Sequence, residues 1–454
     1  VRSLVVVLGA GFVGLVTARS LVQRGHQVLL VDRDRETVER FGNGLLPVLL
    51  ASHAERWLEP ANWRKAEHGQ ITPCWAAVEA SDKPDADRPD AGGIRLVRAW
   101  LEEGADLVVC LPAPAPTLDP SIIRSAIQWW AAAGGRGWVI VRSTLWPTAL
   151  AELNQDLDDS ACTLAHWPEF FAEGVGERQV ESWRVGLANP AMRSNRRLSA
   201  ICGEDSVGYT FGASSLGKIG TNLWLGTRLA WVNQIAGLAR LFDAPGEDAL
   251  AFAAQDRRVG DHWLTPGAWG GSCLPKEAQA VQFLASEYAD GVVVNLGLEV
   301  ARYAPVDWTV HEIREAVRGL RSPGKKPVVM LAGMAFKSGT SDRRHAWGHE
   351  ILDMIDQDED NADDWNGVEI RIHDREMGAL VTPYDWVAGR STGPSPLAGA
   401  PKVDVLVCLQ AGAYPTKSEI AASGVRVLID GRGLATKAGV PDGCLLVSIY
   451  GVPS

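Results

Sequence analysis

The sequence predicts an α/β chain in which two doubly wound parallel-sheet domains are joined by a central helical domain with a long helix. Three observations predict it. Short β-branched runs alternate with helix-length segments through the first 145 residues, the same alternation returns from about 327 to 431, and strand signals vanish from about 204 to 318. At roughly 150 residues per domain, a chain of 454 residues suits about three such parts. The expected boundaries are 1–203, 204–318 and 319–454.

The first part opens with "SLVVVLG" and continues through "QVLLVD", "DLVVCLP" and "GWVIVRS". Apolar runs this dense suit strands covered on both faces, as in a parallel sheet. The first run leads into "GAGFVG", which sets Gly9, Gly11 and Gly14 between a strand and a helix, with Phe12 and Val13 at the helix opening. Asp32 ends the next strand. Such glycines permit a tight turn and a close approach of pyrophosphate to the helix N-terminus, and the carboxylate accepts ribose hydroxyls. This is a Rossmann-like dinucleotide site. A carboxylate at Asp32 would repel a 2′-phosphate and so favours NAD over NADP, with Arg33 offsetting part of that repulsion.

In the middle part, "SLGKIGTNLWLGTRLAWVNQIAGLARLF" predicts a long helix. Lys218 and Asn222 stand one turn apart on a stripe that continues through Leu225, Leu229, Val232 and Ala236, the spacing of an inward face. Polar groups on a buried line need partners or a cavity. A lysine snorkelling at a helix start is the alternative. Further on, "WGGSCLPKE" places Cys273 between the Gly270–Gly271 pair and Pro275, at the opening of another helix. The positive potential of a helix N-terminus, with Lys276 nearby, makes a thiolate accessible. A buried structural cysteine beside a turn explains the stretch equally well.

The last part repeats the strand pattern as "PVVMLAG", "VEIRIHD", "VDVLVCL" and "VRVLIDG". Three stretches read as surface loops: 79–93, the acidic "DQDEDNADDW" from 356, and "STGPSPLAGAP" from 391. The acidic run lacks EF-hand spacing and its Gly, which favours a solvated loop over a calcium site.

Composition excludes several classes. A formal net charge of -11 gives no basic surface for a phosphate backbone, so nucleic acid is not an expected partner. No apolar run approaches the roughly 20 residues needed to span a bilayer, and Leu4–Leu8 reads as a strand rather than a signal-peptide core, so no membrane partner is expected. Seven cysteines without C-x-x-C spacing suit reduced thiols, six of them as core filler, with no metal site and with the cytoplasm as the expected compartment.

Taken in order, "GAGFVG", "STLWP", "PEFFAEG", "GKIGTN", "DRRVG", "GGSCLPKE", "AFKSGTSDRR" and "DGR" resemble the motifs of the nucleotide-sugar dehydrogenases, the family typified by UDP-glucose 6-dehydrogenase, from Val5 to about Tyr450. The resemblance implies an NAD-dependent four-electron oxidation of a nucleoside-diphosphate sugar, by default UDP-glucose, to its uronic acid. The route passes through a thiohemiacetal and a thioester on Cys273 and releases two NADH. By the same resemblance, Lys218 and Asn222 stabilise oxyanions, Thr144 and Glu169 handle water and protons, and Glu277 is the carboxylate beside the nucleophile. Glu173 and Gly271 match positions that line the substrate pocket. Arg258, Lys337 and Arg432 match contacts to phosphates or sugar, with Lys218 also facing substrate. Arg258 reaches across a dimer interface in the family, and a homodimer built on the long helix is implied. Ser143, Thr144 and Arg344 match cofactor-side positions.

The chain also departs from the pattern. Glu277 stands where the family usually has Asp, and the longer side chain moves the carboxylate outward. Trp167 replaces the usual Asn before Pro-Glu-Phe, Ala113 in "CLPAPAP" replaces a hydroxyl, and "HAW" follows Arg344 in place of acidic and small residues. Residues 41 to 105 match poorly. Two other readings stay open. A two-electron hydroxyacid-type dehydrogenase shares the NAD domain and helical middle yet does not need Cys273. A nucleotide-sugar-binding relative with impaired turnover is suggested by Trp167 and Glu277.

Overall fold

The computed structural model describes residues 2–42, 65–66, 69–76, 90–171, 184–203, 207–288, 293–399, 402–436 and 439–451. It divides into two compact units, Val1–Thr221 and Asn222–Ser454. The expected α/β architecture is present: two Rossmann-like sheets and, between them in sequence, a helical region that includes the long helix Phe211–Leu241.

In the first unit the strands are β1 (Leu4–Leu8), β2 (Gln27–Asp32), β3 (Lys65–Ala66), β4 (Gly69–Trp75), β5 (Asp106–Val109), β6 (Arg136–Val141), β7 (Ala161–His166), β8 (Arg184–Leu187) and β9 (Val207–Thr210). Their order in the sheet is β3-β4-β2-β1-β5-β6-β7-β8-β9. β1 pairs in parallel with both β2 and β5, so the winding direction reverses there. A crevice opens beyond the carboxyl ends of those strands, which is where such sheets bind ligands. The central strands hold this position because Val5, Val6, Val7, Leu107, Val108 and Val109 are fully buried. Each such side chain contributes about 1.5–3 kcal/mol by burial, so the switch point lies on the most strongly anchored part of the sheet.

The second unit carries helices Gly246–Ala254, Cys273–Tyr288 and Val293–Leu320 ahead of its sheet. The strands are β10 (Val328–Ala332), β11 (Glu369–His373), β12 (Gly389–Ser391), β13 (Val405–Cys408), β14 (Val427–Asp430) and β15 (Leu445–Ser448). They run in the order β12-β11-β10-β13-β14-β15, every pair parallel. β10 is a second switch point, built by the same device as the first. Gly9 N donates to Val31 O at 2.8 Å and Ala10 N to Asp32 Oδ2 at 2.6 Å. Correspondingly, Gly333 N donates to His373 O at 2.8 Å, and Met334 N and Ala335 N donate to Asp374 Oδ2 at 2.6 and 2.9 Å.

Three local expectations are corrected. β9 lies in the region expected to be free of strands and pairs in parallel with β8. The acidic run after 356 is not a bare loop: Glu359–Asn361 and Ala362–Trp365 are short helices. Their carboxylates face arginines of the Val293–Leu320 helix, Asp358 at 3.3 Å from Arg314 and Asp364 at 2.5 Å from Arg318. The tail of the first expected loop opens the helix Ala91–Glu102, and residues 79–89 lie outside the described residues.

Candidate active site

The first unit presents the dinucleotide elements. Gly9 has φ +97°, and a methyl there would meet Cys110 O at 2.7 Å. One on Gly14 would meet Gly9 O at 1.7 Å, so the helix Phe12–Gln23 can approach its strand this closely only with glycine at that position. Gly11 has open space around it and stands at the helix N-cap with its backbone extended. Asp32 is fixed by Ala10 N and by Asp34 N, at 2.6 and 2.8 Å. Gly9, Gly11, Asp32, Arg33, Cys110 and Pro112 line a cavity of about 320 Å³. Open glycine backbone, a helix N-terminus and an oriented carboxylate facing one cleft fit a dinucleotide. Phe12 and Val13 are half-buried beside the cleft's glycines and pack on Val16 and Phe171.

Farther along the sheet, Ser143 Oγ donates to Leu111 O at 2.5 Å, and Thr144 is buried next to it. Glu169 is also buried, and its Oε2 accepts from Phe171 N at 2.8 Å. The other oxygen lies 3.9 Å from Lys218 Nζ. Lys218 is 2% exposed and sits 4.9 Å from the centre of the Phe170 ring, so this lysine is an interior cation, not a snorkelling one. Glu173, expected to line the substrate pocket, lies outside the described residues.

His166 ties this region to the start of the long helix Phe211–Leu241. Its Nε2 faces Ser143 O at 3.2 Å and its Nδ1 faces Ser214 Oγ at 2.8 Å. Burial, the largest cause, pulls its pKa down to about 4, so the ring is neutral, Nε2 carries the proton and Ser214 donates to Nδ1. Sequence reasoning missed this residue. Because its folded pKa is below the ordinary 6.5, its contribution to stability is complete above about pH 6.5 and is lost as pH falls toward 4. Between pH 7.5 and 5 the wild type should lose about 2 kcal/mol more unfolding free energy than His166→Gln, which cannot titrate. Urea melts at the two pH values measure this, and equal losses would refute it.

The second unit presents the cysteine. The long helix carries Asn222 one turn after Lys218, buried, with its side-chain nitrogen lacking a hydrogen-bond partner among the described residues. Cys273 is the first residue of its helix, 3.6 Å from Ser272 Oγ, and Glu277 is buried one turn on. Leu223 and Leu274, the neighbours of Asn222 and Cys273, pack into one apolar cluster with Trp269, Ala278 and Leu298. That cluster holds the two helices together at this level. The other six thiols are unsuited to attack. Burial pushes Cys74 and Cys202 up to about 12 and Cys110 to about 11, and raises Cys162, Cys408 and Cys444 as well.

The segment before Cys273 is shaped by close packing. A methyl on Gly270 would meet His345 O at 2.0 Å, Gly271 N donates to Arg344 O at 2.9 Å, and Gly271 rests against the Phe336 ring. Lys337, the next residue, is half-buried. A methyl on Gly267 would meet Arg432 Nη1 at 2.7 Å, and Arg432 donates through Nε to Leu409 O at 2.9 Å with its guanidinium 5.5 Å from the Trp347 ring. The odd "HAW" thus supplies the aromatic face under Arg432. Two arginines differ: Arg344 is chelated by Asp342, at 2.8 and 2.5 Å, and Arg258 is exposed and held by Asp256 at 2.6 Å. Arg228, which sequence reasoning also missed, fixes the Arg258 loop through the carbonyls of His262, Val259 and Gly260. Among the described residues no group of His, Cys, Asp and Glu is placed to hold a metal ion, and no helix is long and apolar enough to cross a membrane.

The fold and the glycine-lined cleft fit a dinucleotide-binding protein, and a cysteine stands at a helix start in the second unit. Residues 213–299 match the model of the UDP-glucose/GDP-mannose dehydrogenase family, central domain, and residues 5–142 match that of FAD dependent oxidoreductases. The chain is 25% identical to the UDP-glucose 6-dehydrogenase of Pseudomonas aeruginosa, over 95% of this chain and 94% of that one. It is 23% identical to the GDP-mannose 6-dehydrogenase of Azotobacter vinelandii, over 77% and 78%. Its fold matches a UDP-glucose dehydrogenase from Pyrobaculum islandicum with a TM-score of 0.76 at 19% identity, covering 100% of this chain and 98% of that one. The chain is thus similar along almost its whole length to nucleotide-sugar dehydrogenases.

Proposed function

We propose that this chain is a nucleotide-sugar dehydrogenase that uses NAD to oxidise a nucleoside-diphosphate sugar, by default UDP-glucose, through four electrons to the uronic acid. The observation that carries the reading is the pairing, one turn apart on one helix, of an interior ammonium at Lys218 and an unsatisfied amide at Asn222, with Cys273 packed at the same level as Asn222. A buried amide donor without a hydrogen-bond partner among the described residues is costly, and a buried ammonium stands one turn from it. Both are suited to an oxygen that becomes negative during reaction.

When bound, NAD supplies a hydride acceptor, once for each two-electron step. Thr144 and Glu169 hold the water that takes the proton from the sugar's terminal hydroxyl as the alcohol becomes an aldehyde. Cys273 adds as thiolate to the carbonyl carbon, and the new C–O⁻ is held by Lys218 and Asn222. Loss of the second hydride leaves a thioester on Cys273. Water, deprotonated by Glu277, adds to it, the C–S bond breaks and the acid leaves. In sum, the alcohol, one water and two NAD⁺ give the carboxylate, two NADH and three protons.

The assignment of parts follows: residues 1–203 bind NAD through Gly9, Gly11, Phe12, Val13, Gly14 and Asp32, with Ser143 and Arg344 on the cofactor side. Residues 204–318 form the dimerising helical part, and 319–454 bind the nucleotide sugar through Lys337 and Arg432, assisted by Gly271, by Glu173 and by Arg258 of a second copy. Asp32 supports NAD over NADP. The seven free thiols support a reducing compartment, the cytoplasm. The test offers the purified protein NAD with UDP- and GDP-sugars and counts NADH per sugar consumed at 340 nm. Two NADH per sugar are expected. One per molecule would replace this reading with a two-electron hydroxyacid-type dehydrogenase, and binding without NADH with an inactive relative.

A further inference from the structure

Arg142 directly follows β6, and its backbone nitrogen extends the sheet by donating to Val109 O at 3.0 Å. Its side chain turns inward and is 1% exposed. The guanidinium carbon lies 3.8 Å from the centre of the Trp167 ring and 4.9 Å from that of Phe171. None of Nε, Nη1 and Nη2 has a hydrogen-bond partner among the described residues. A buried guanidinium deprived of hydrogen bonds is strongly disfavoured unless another attraction compensates, and here two aromatic faces provide it.

Those two rings bracket Pro168, Glu169 and Phe170. The sandwich therefore pins both ends of a five-residue segment whose central side chain is Glu169. From the other side, Lys218 lies 3.9 Å from Glu169 Oε1 and 4.9 Å from the Phe170 ring centre. Phe12, beside the dinucleotide glycines, meets Phe171 edge-on at 6.3 Å. Two cations thus hold one segment, each against aromatic rings. At position 167 an asparagine could hydrogen-bond but could not stack under a guanidinium.

We infer that Arg142, stacked on Trp167, is a positioning residue that fixes Glu169 against Lys218 for proton handling at the substrate. The inference rests on the proposed nucleotide-sugar oxidation, in which Glu169 handles protons. Arg142 itself touches no reacting atom.

The test compares Arg142→Met, Arg142→Lys, Trp167→Asn and the double variant Arg142→Met with Trp167→Asn. Each single loss should lower kcat roughly 10- to 100-fold, with the KM for NAD changed less than about threefold. Arg142→Lys should recover part of the rate, and the double variant should be no slower than the slower single one. Retained kcat in Arg142→Met, or multiplicative losses in the double variant, would overturn the inference. Amide exchange without any ligand separates this outcome from failure of the proposed function. The Phe171 amide, which donates to Glu169 Oε2, should exchange at least about tenfold faster in Arg142→Met at matched global stability. Unchanged exchange there would overturn the positioning role even if the wild type oxidised no sugar.

Discussion

Cys273→Ser is expected to stop uronic acid formation, lowering its rate by a factor of about a thousand or more, while NAD still binds. The argument concerns the leaving group as much as the attack. A serine hydroxyl at the start of the same helix remains almost wholly protonated near neutral pH, whereas a thiol at a helix N-terminus ionises readily. Any ester that does form expels an alkoxide far more slowly than a thioester expels a thiolate, so the covalent intermediate accumulates. The variant should either halt after two NADH per enzyme with the ester trapped as a mass increase on the peptide containing residue 273, or release the aldehyde with one NADH per sugar. None of the other six cysteines can substitute, because burial holds each thiol in its protonated form. Undiminished production of acid would remove Cys273 from the chemistry.

The parts of this molecule that were legible in the sequence are those whose pattern is local. Strands β1, β2, β5, β6, β10, β11, β13 and β14 were visible because they are covered on both faces and so consist of dense β-branched runs, as in the wholly buried Asp106–Val109. β4 escaped because it contains Pro73, whose one partner among the described residues is Leu30 of β2. β8 and β9 escaped because four residues carry no period. The glycine turn and the Cys273 stretch were legible for the same local reason. Arg142 and His166 were not: an arginine closing an apolar strand signals only that something unusual lies there. Its meaning depends on Trp167 lying under it, and that of His166 on Ser214 lying 48 residues away. The same distance effect hid the role of Trp347, whose ring lies by Arg432.

Lys218→Ala is expected to lower kcat by about 10²–10³-fold, equivalent to roughly 2.7–4 kcal/mol of transition-state stabilisation, with little change in NAD affinity. Two physical effects compete to explain such a loss. Removing a buried cation also leaves Glu169 without its ion partner at 3.9 Å, and breaking a buried pair commonly costs about 3–5 kcal/mol of folding stability. Magnitudes decide between them. Domains have about 5–15 kcal/mol of stability, so all but the least stable chain would stay mainly folded after that loss, and unfolding could not remove 99% or more of the rate. The variant should therefore melt earlier yet remain folded at assay temperature, bind NAD in a fluorescence titration, and fail at turnover. Lys218→Arg refines the test. It keeps the charge near Glu169 and should restore much of the melting temperature, but its larger planar head cannot occupy the same point, so turnover should recover far less. If Lys218→Ala turned over at the wild-type rate while melting earlier, Lys218 would be a structural partner of Glu169 alone, and the oxyanion would have to be held by other groups.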